Sequence, residues 1–316
     1  MTAPGALPEV LAVVGPTATG KSALGIALAE RLGGEIVNCD STAVYRRFDI
    51  GTDKVSPAAR RGVPHHLIDI VDPTDIYSAA HYARDAKVVI DAILARGRVP
   101  IVVGGTGFYY RALTRGLFPG PGRDERLRRR LERVAARRGP GCLHRWLGRV
   151  DAPSAGRIQA RDVKRVVRAL EVYLLTGKPL TAHFADTTSP LAGCRVTTLA
   201  LRIAPDATAE RVARRVDEQF ARGVVQEVRD ILRAGVPETA LPFTGLVYRQ
   251  VLEMLHGVRD EPATRALIVQ ENRKYARRQL IWFRKEPNLH WLLTPGEQAI
   301  TVEAAHDVLR AKGVVS

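Results

Sequence analysis

Residues 10–22 read VLAVVGPTATGKS, a short apolar run followed by a loop that begins and ends with glycine. The loop fits the pattern G-x-x-x-x-G-K-[ST], and a helix-like stretch, Ala23 to Leu32, follows it directly. This context predicts a phosphate-binding loop (P-loop), in which backbone N–H groups and a helix N-terminus face an anion. Its residues are Gly15, Pro16, Thr17, Ala18, Thr19, Gly20, Lys21 and Ser22.

Two side chains of the P-loop have chemistry of their own. Lys21 would add a positive charge beside the phosphates, and the hydroxyl of Ser22 would bind Mg²⁺. The pattern predicts a di- or triphosphate ligand and leaves the reaction open.

Around this loop, apolar runs alternate with helix-like stretches. The segments are Val10 to Val14, Ala23 to Leu32, Glu35 to Cys39, Ser78 to Ala95 and Val99 to Val103. This alternation predicts an α/β fold of the P-loop NTPase-like type, with a parallel sheet and flanking helices. Two long helical regions, Ala209 to Ala234 and Ala263 to Arg284, are expected later in the chain.

A cluster of proline and glycine, Pro119 to Gly122, interrupts the α/β pattern, and a β-type run from Arg195 to Ile203 resumes it. The intervening segment therefore reads as an insertion. We predict a P-loop core domain of residues 1–122 and 195–316, and an inserted, basic, all-helical domain of residues 123–194.

The insertion holds most of the charge. The 316 residues include 48 Lys and Arg against 33 Asp and Glu, a formal net charge of +15, and residues 123–168 alone contribute +10. Leu127, Leu131 and Val134 recur at helical spacing, so this segment predicts two basic helices, the second of which ends near Gly177. Such a surface attracts phosphates, RNA or acidic membranes, although a solvated arginine-rich face is the simpler alternative.

Composition excludes several classes of protein. With 46% hydrophobic and 26% charged residues, the chain is neither disordered, collagen-like nor a coiled coil. Met1 to Val10 has no basic segment, and Val10 to Val14 is too short for a signal peptide or membrane span, so we expect a cytoplasmic protein with no membrane partner. Cys39, Cys142 and Cys194 are far apart, which predicts free thiols rather than a disulfide framework or a zinc site.

Two further segments should lie at the same sheet edge as the P-loop. Asp40 follows the second strand, and Gly104-Gly105-Thr106-Gly107 follows the strand that ends at Val103. The carboxyl ends of parallel strands form the ligand-binding edge of such sheets. There Asp40 would hold Mg²⁺, accept a proton from a substrate, or only cap the next element. His65-His66 has no ligand partner at metal spacing and is interpreted as a loop or packing pair.

With these residues in place, the chain resembles the tRNA dimethylallyltransferases (tRNA isopentenyltransferases) of bacterial type from end to end. The resemblance is carried by Gly15 to Ser22, Asp40-Ser41, Tyr45, Asp49 to Lys54, His65, Asp69, Tyr77 to Ala79, Gly104 to Gly107, Tyr109, Arg165 to Glu171, Thr176 to Lys178, Arg211 to Val228, Tyr248 to Gln250 and Arg278 to Arg284. No single segment decides it, but the ordered set is highly specific.

The resemblance implies transfer of a dimethylallyl group from dimethylallyl diphosphate to N6 of the adenosine 3′-adjacent to the anticodon in tRNA. The P-loop would then bind the diphosphate of the prenyl donor, and ATP would not be consumed. By the same resemblance, Asp40 would be the general base, while Thr17 and Arg215 would contact the departing diphosphate. The positions implied to meet the anticodon stem-loop are Asp40, Ser41, Thr42, Ala43, Thr106, Arg128, Lys164, Arg165, Val166, Val167 and Arg168.

The chain departs from the family pattern at two places. Ala43 stands where many relatives have Gln, and Val247-Tyr248 stands where Gly-Tyr is usual. Both departures bear on recognition of the adenine and the anticodon stem rather than on the diphosphate.

Other functions stay open at this point. An adenylate isopentenyltransferase or a P-loop nucleotide kinase would use the same core on a small molecule, and a non-catalytic RNA-binding module would explain the charge alone. A small acceptor gives no reason for the +10 insertion, and a purely RNA-binding protein gives none for the P-loop. We expect a monomer with no obligatory protein partner.

Overall fold

The computed structural model describes residues 7–118 and 120–315, which divide into two compact units. The core unit comprises the described residues up to Thr114 and those from Pro190 onward. The helical unit is Arg115–Ser189. This unit starts before residue 123 and ends before residue 194, the limits of the predicted insertion. The ring of Phe118, which precedes the predicted start, packs on Phe184 of the same unit. Pro119, in the predicted proline-glycine cluster, lies outside the described residues.

The core unit is built on a six-stranded sheet in the order β3-β2-β4-β1-β5-β6, with every neighbouring pair parallel. The strands are β1 (Glu9–Val14), β2 (Gly34–Asn38), β3 (His65–His66), β4 (Val99–Gly104), β5 (Arg195–Leu201) and β6 (Leu289–Leu292). This order confirms the predicted α/β fold with a parallel sheet. The central strand β1 is buried from Val10 to Val14, as expected for a parallel strand covered on both faces.

Helices flank the sheet and form the helical unit. In chain order they are α1 (Lys21–Leu32), α2 (Ala79–Ala95), α3 (Gly107–Arg115), α4 (Glu125–Arg138), α5 (Pro140–Val150), α6 (Ala152–Arg157), α7 (Val163–Thr176), α8 (Leu180–His183), α9 (Pro205–Ala221), α10 (Val224–Arg233), α11 (Leu246–Leu255), α12 (Glu261–Phe283) and α13 (Ala299–Ala311). Short 3₁₀ turns occupy Ala58–Arg60, Phe184–Asp186 and Leu241–Thr244. None of the described helices is both long enough and apolar enough to cross a membrane.

Two sequence expectations are corrected by the core unit. The single helical region expected from Ala209 to Ala234 is two helices, α9 and α10, because Gly223 adopts a left-handed conformation with φ of 89° and ends the run. The His65-His66 pair, interpreted as a loop or packing pair, is not a loop but forms the edge strand β3 beside β2. The imidazole Nε2 of His66 lies 2.7 Å from the carboxylate of Glu35 on β2.

The helical unit has its own apolar core. Leu131 on α4, Leu143 and Leu147 on α5, and Leu170 on α7 are buried together. The two predicted basic helices correspond to α4 and α7, and α7 ends at Thr176 before Gly177, as expected.

A buried carboxylate joins these two basic helices. Glu171 on α7 is fully buried, and its oxygens accept hydrogen bonds from Nε and Nη2 of Arg128 on α4, at 2.9 and 3.0 Å. Nη1 of Arg168 donates at 2.6 Å, and the backbone N–H of Asp124 at 2.8 Å. Desolvation opposes ionisation of Glu171, but the hydrogen bonds from the two arginines lower its pKa below the usual value. Glu171 is therefore a buried, ionised carboxylate that holds α4 and α7 together.

Replacing Glu171 by Ala should leave two guanidinium groups without their shared partner and destabilise the helical unit by about 3–5 kcal/mol. Hydrogen exchange of α4 and α7 amides in the full chain would measure the change. Glu132→Ala removes the same charge from an exposed position on α4 and serves as the control. Equal protection in the two variants would contradict the role given to Glu171.

Candidate phosphate-binding site

The P-loop connects β1 to α1 as the sequence predicts. Gly15 has φ of 139°, and a Cβ atom there would lie 2.6 Å from the carbonyl oxygen of Leu201 on β5. Gly20 has φ of 87° and directly precedes the first residue of α1. Both positions therefore require glycine, the first for close packing on the neighbouring strand and the second for the turn into the helix.

Lys21 bends back over the loop. Its Nζ donates to the carbonyl oxygen of Pro16 at 2.6 Å, and the hydroxyl of Thr19 donates to the same oxygen at 2.9 Å. Desolvation, and then the nearby positive charge of Arg215, lower the pKa of Lys21 to about 7. Asp40 opposes this shift only in part. The surroundings of Lys21 thus favour an added negative charge.

Arg215 on α9 brings a second positive charge to the loop. Its Nη1 donates to the hydroxyl oxygen of Thr17 at 2.8 Å, although 198 residues separate the two in sequence. Its Nε lies 3.2 Å from a carboxylate oxygen of Asp53. Burial raises the pKa of Asp53, and Arg215 opposes that shift. Thr17 and Arg215, assigned to the diphosphate by resemblance alone, lie in direct contact.

Gln279 on α12 links the P-loop to the turn after β4. Its Oε1 accepts the backbone N–H of Thr17 at 2.8 Å, and its Nε2 donates to the carbonyl oxygen of Gly105 at 2.8 Å. The side chain is buried. A Cβ atom on Gly105 would lie 2.5 Å from Nε2 of Gln279, so glycine is needed for this approach.

Asp40 lies in the turn after β2. Its Oδ1 accepts the backbone N–H groups of Thr42, at 2.8 Å, and Ala43, at 3.3 Å, together with the hydroxyl of Thr42 at 2.6 Å. The backbone N–H of Ser41 donates to the hydroxyl oxygen of Thr106 at 3.0 Å. The turn is thus fixed on one side by Asp40 and on the other by Thr106. The capping role considered for Asp40 is present, and it engages one of the two carboxylate oxygens.

These groups surround a cavity of about 470 Å³ in the core unit. The cavity brings together Thr17, Lys21, Ser22, Asp40 and Arg215 of the predicted site. The turn residues Ser41, Thr42 and Ala43 also line it. Tyr275 and Arg278 of α12 form part of its wall.

The predicted tRNA-binding residues Arg128 and Lys164 to Arg168 lie in the helical unit, and two of them need correction. Val166 and Val167 are each 1% exposed and belong to the core of that unit, so their side chains cannot contact an RNA. Lys164 and Arg165 are exposed on the same helix. Arg168 and Arg128 are held by Glu171.

The cavity offers few protein ligands for a metal ion. Within residues 7–118 and 120–315, no three His, Cys, Asp or Glu side chains cluster as a metal site. The hydroxyl of Ser22 and the carboxylate of Asp40 line the same cavity. This oxygen-only set fits Mg²⁺ held mainly by phosphate oxygens and water, with one or two protein ligands.

Sequence reasoning missed the contacts that organise the site. Gln279 was among the residues that carry the resemblance, but no role followed from it. Asp53 was likewise quoted without a role. Both make contacts across more than 160 residues, which no local pattern reveals.

Comparison with known proteins gives consistent matches. A family model described as IPP transferase matches residues 43–286. The tRNA dimethylallyltransferase of Koribacter versatilis is 44% identical over 303 residues, covering 96% of this chain and 98% of the relative. That of Solibacter usitatus is 48% identical over 300 residues, covering 94% and 97%.

Solved structures agree with this match. The tRNA isopentenylpyrophosphate transferase of Bacillus halodurans has a TM-score of 0.72 and 33% identity, with 96% of each chain covered. A eukaryotic dimethylallyltransferase described as acting on tRNA has a TM-score of 0.81 and 26% identity, covering 96% of this chain and 79% of its own.

Replacing Gln279 by Leu should leave the N–H of Thr17 and the carbonyl of Gly105 without their partner. We expect the free energy of unfolding to fall by about 1–3 kcal/mol, because these groups stay desolvated. Chemical denaturation of the full chain would measure it. Gln270→Leu, at an exposed position on the same helix, is the control. Equal stability of the two variants would exclude Gln279 as a link between the loops.

Proposed function

Since the chain belongs to the IPP transferase family, we propose that it transfers a dimethylallyl group from dimethylallyl diphosphate to N6 of the adenosine 3′-adjacent to the anticodon in tRNA. The products are N6-isopentenyladenosine and diphosphate. The observation that carries the proposal is the meeting of the P-loop, Arg215 and Asp40 at one cavity, which joins an anion site to a carboxylate base.

The diphosphate is the group that leaves. As the C–O bond of the donor breaks, negative charge grows on its bridging oxygen. Arg215, Lys21 and the hydroxyl of Thr17 lie at this cavity, so they would stabilise the transition state more than the ground state. The lowered pKa of Lys21 supports this role, because an arriving diphosphate supplies the negative charge that its surroundings lack.

Asp40 serves as the general base. Its Oδ1 is held by Thr42 and Ala43, which fixes the carboxylate and leaves Oδ2 as the oxygen that we assign to the proton. The N6 amine loses its proton readily once nitrogen has bonded to carbon. General-base help of this kind contributes about 10²–10⁴-fold.

Mg²⁺ is the cofactor we assign, with Ser22 as its protein ligand. Bound there with the diphosphate, the ion would neutralise negative charge on the leaving group. ATP is not consumed, because the P-loop binds the diphosphate of the prenyl donor.

The helical unit supplies the charge for binding the anticodon stem-loop of tRNA. Its exposed Lys and Arg residues are Arg115, Arg123, Arg126, Arg129, Arg130, Arg133, Arg137, Arg138, Arg145, Arg149, Arg157, Arg161, Lys164, Arg165 and Lys178. Side chains of this kind bind RNA through its phosphates. The target adenine leaves the stack of the anticodon loop to react, as other base-modifying reactions require.

Two alternatives are less well supported. The names of the relatives favour tRNA over the small acceptor of an adenylate isopentenyltransferase or a nucleotide kinase. A non-catalytic RNA-binding module gives no purpose to Arg215 and Lys21 at the cavity. We also infer that the protein works in the cytoplasm, where tRNA is found, and acts as a monomer.

Labelled dimethylallyl diphosphate, Mg²⁺ and total tRNA provide the direct test. The protein should move label into RNA, and mass spectrometry of the nucleosides should find N6-isopentenyladenosine. Label that reaches only AMP would indicate the small-molecule alternative. RNA binding without transfer would indicate the binding module.

Asp40→Asn keeps the shape of the side chain but removes its basicity. We expect turnover to fall by about 10²–10⁴-fold while affinity for the prenyl donor changes little. Single-turnover assays and calorimetric titration of the donor would separate the two effects. Asp75→Asn, at an exposed position, is the control for charge. Turnover of Asp40→Asn near the wild-type rate would remove the base assignment.

The two ligands should respond differently to salt. Affinity for tRNA should fall by about 10³-fold between 50 and 200 mM salt if six phosphates are neutralised, and donor affinity much less. Replacing both Arg129 and Arg133 by Gln should reduce the slope for tRNA, whereas Arg310→Gln on α13 should not. Filter binding over a salt series would measure the slopes. Identical slopes in all three proteins would argue against RNA contact by α4.

A further inference from the structure

Asp53 is a carboxylate in the wall of a cavity that we assign to an anion. It adopts a left-handed conformation with φ of 51° in the segment Asp49–Lys54, which follows β2 and lines the cavity from Gly51 onward. The side chain of Asp53 is 26% exposed. A negative charge here repels a diphosphate, so its presence calls for a role other than binding the donor.

The contacts of Asp53 run along one face of α9. Its Oδ2 lies 3.2 Å from Nε of Arg215 and accepts a hydrogen bond from Nε2 of Gln219 at 2.9 Å. Its Oδ1 lies 4.0 Å from Nη1 of Arg222. Arg215 and Gln219 share a face of α9 by their spacing, and Arg222 is the residue directly after its last turn, so the carboxylate is positioned by three side chains at one end of this helix.

Arg215 is consequently fixed at two points. Its Nε forms an ion pair with Asp53 at 3.2 Å, and its Nη1 donates to the hydroxyl oxygen of Thr17 at 2.8 Å. The guanidinium group is planar, so these two contacts define the plane that it presents to the cavity. Without Asp53, only the contact with Thr17 would restrain a long side chain that is 36% exposed.

The segment that carries Asp53 is itself held firmly. The carboxylate of Glu227 on α10 accepts the backbone N–H groups of Asp49, at 2.9 Å, and Ile50, at 2.8 Å. The hydroxyl of Tyr248 donates to Glu227 at 2.7 Å and accepts the N–H of Gly51 at 3.0 Å. The segment that carries Asp53 is thus held by hydrogen bonds to α10 and α11.

We propose that Asp53 is a positioning residue for the transfer reaction, which orients the guanidinium group of Arg215 toward Thr17 and the departing diphosphate. The inference rests on the proposed function. Because Asp53 acts through Arg215 and opposes anion binding, its loss lowers kcat without weakening the binding of the donor.

A double-mutant cycle tests this coupling. Asp53→Asn alone should lower kcat by about 10- to 100-fold, the range expected for misplacing a group at the reacting centre. Its dissociation constant for dimethylallyl diphosphate should be unchanged or smaller. In an Arg215→Ala background, the same substitution should change kcat less than about twofold, because the residue through which Asp53 acts is gone.

Two further variants separate positioning from folding. Asp53→Glu keeps the charge and should recover part of the lost turnover. Asp217→Asn removes the same charge two residues from Arg215, at a side chain that is 71% exposed, and should leave kcat unchanged. The NMR signal of the Arg215 Nε–H group, assigned by its loss in Arg215→Ala, should report an ordered side chain in the wild type and a mobile one in Asp53→Asn.

The outcomes distinguish this inference from the function on which it rests. A wild-type protein that transfers no label to tRNA overturns both. With an active wild type, three results overturn the positioning role alone: full additivity in the cycle, donor binding that weakens in step with kcat, or an Arg215 signal equally ordered in Asp53→Asn.

Discussion

Every strand of the described sheet runs in the same direction, and this constraint brings the residues of the site together. The turns after β1, β2 and β4 must all emerge at one edge, so the P-loop, Asp40 and Gly105 become neighbours although they are far apart in sequence. The edge alone does not fix their distances. The hydrogen bonds of Gln279 fix the distance between the P-loop and the turn after β4. The hydrogen bond to Thr106 fixes the turn that carries Asp40.

The charges at this edge are arranged for an anion that arrives from outside. Burial, and then the positive charge of Arg215, lower the pKa of Lys21, and the carboxylate of Asp40 offsets this only in part. Asp40 is engaged through Oδ1 by its own turn, and Asp53 is engaged by α9. On the function proposed above, a bound diphosphate would supply the negative charge that Lys21 and Arg215 lack.

Much of this arrangement could be predicted from local patterns. The spacing of glycine, lysine and serine after an apolar run gives the P-loop, and the alternation of apolar segments gives the parallel sheet. The helical periodicity already indicates that Val166 and Val167 are buried, because they share the apolar face of α7 with Val163 and Leu170. The resemblance assigned the whole run from Lys164 to Arg168 to the RNA and did not separate its buried from its exposed residues. What sequence could not give are the contacts between distant segments. Three such contacts depend on tertiary packing, and no local sequence pattern predicts them: Thr17–Gln279, Asp53–Gln219 and Arg128–Glu171.

The buried contact between Glu171 and its two arginines separates two kinds of arginine in the helical unit. Arg128 and Arg168 serve the fold, while fifteen other Lys and Arg side chains lie exposed around an apolar core that does not include them. Surface positions of this kind accept substitution with little effect on folding. Evolution can therefore alter the pattern of exposed charge while the helical scaffold stays the same.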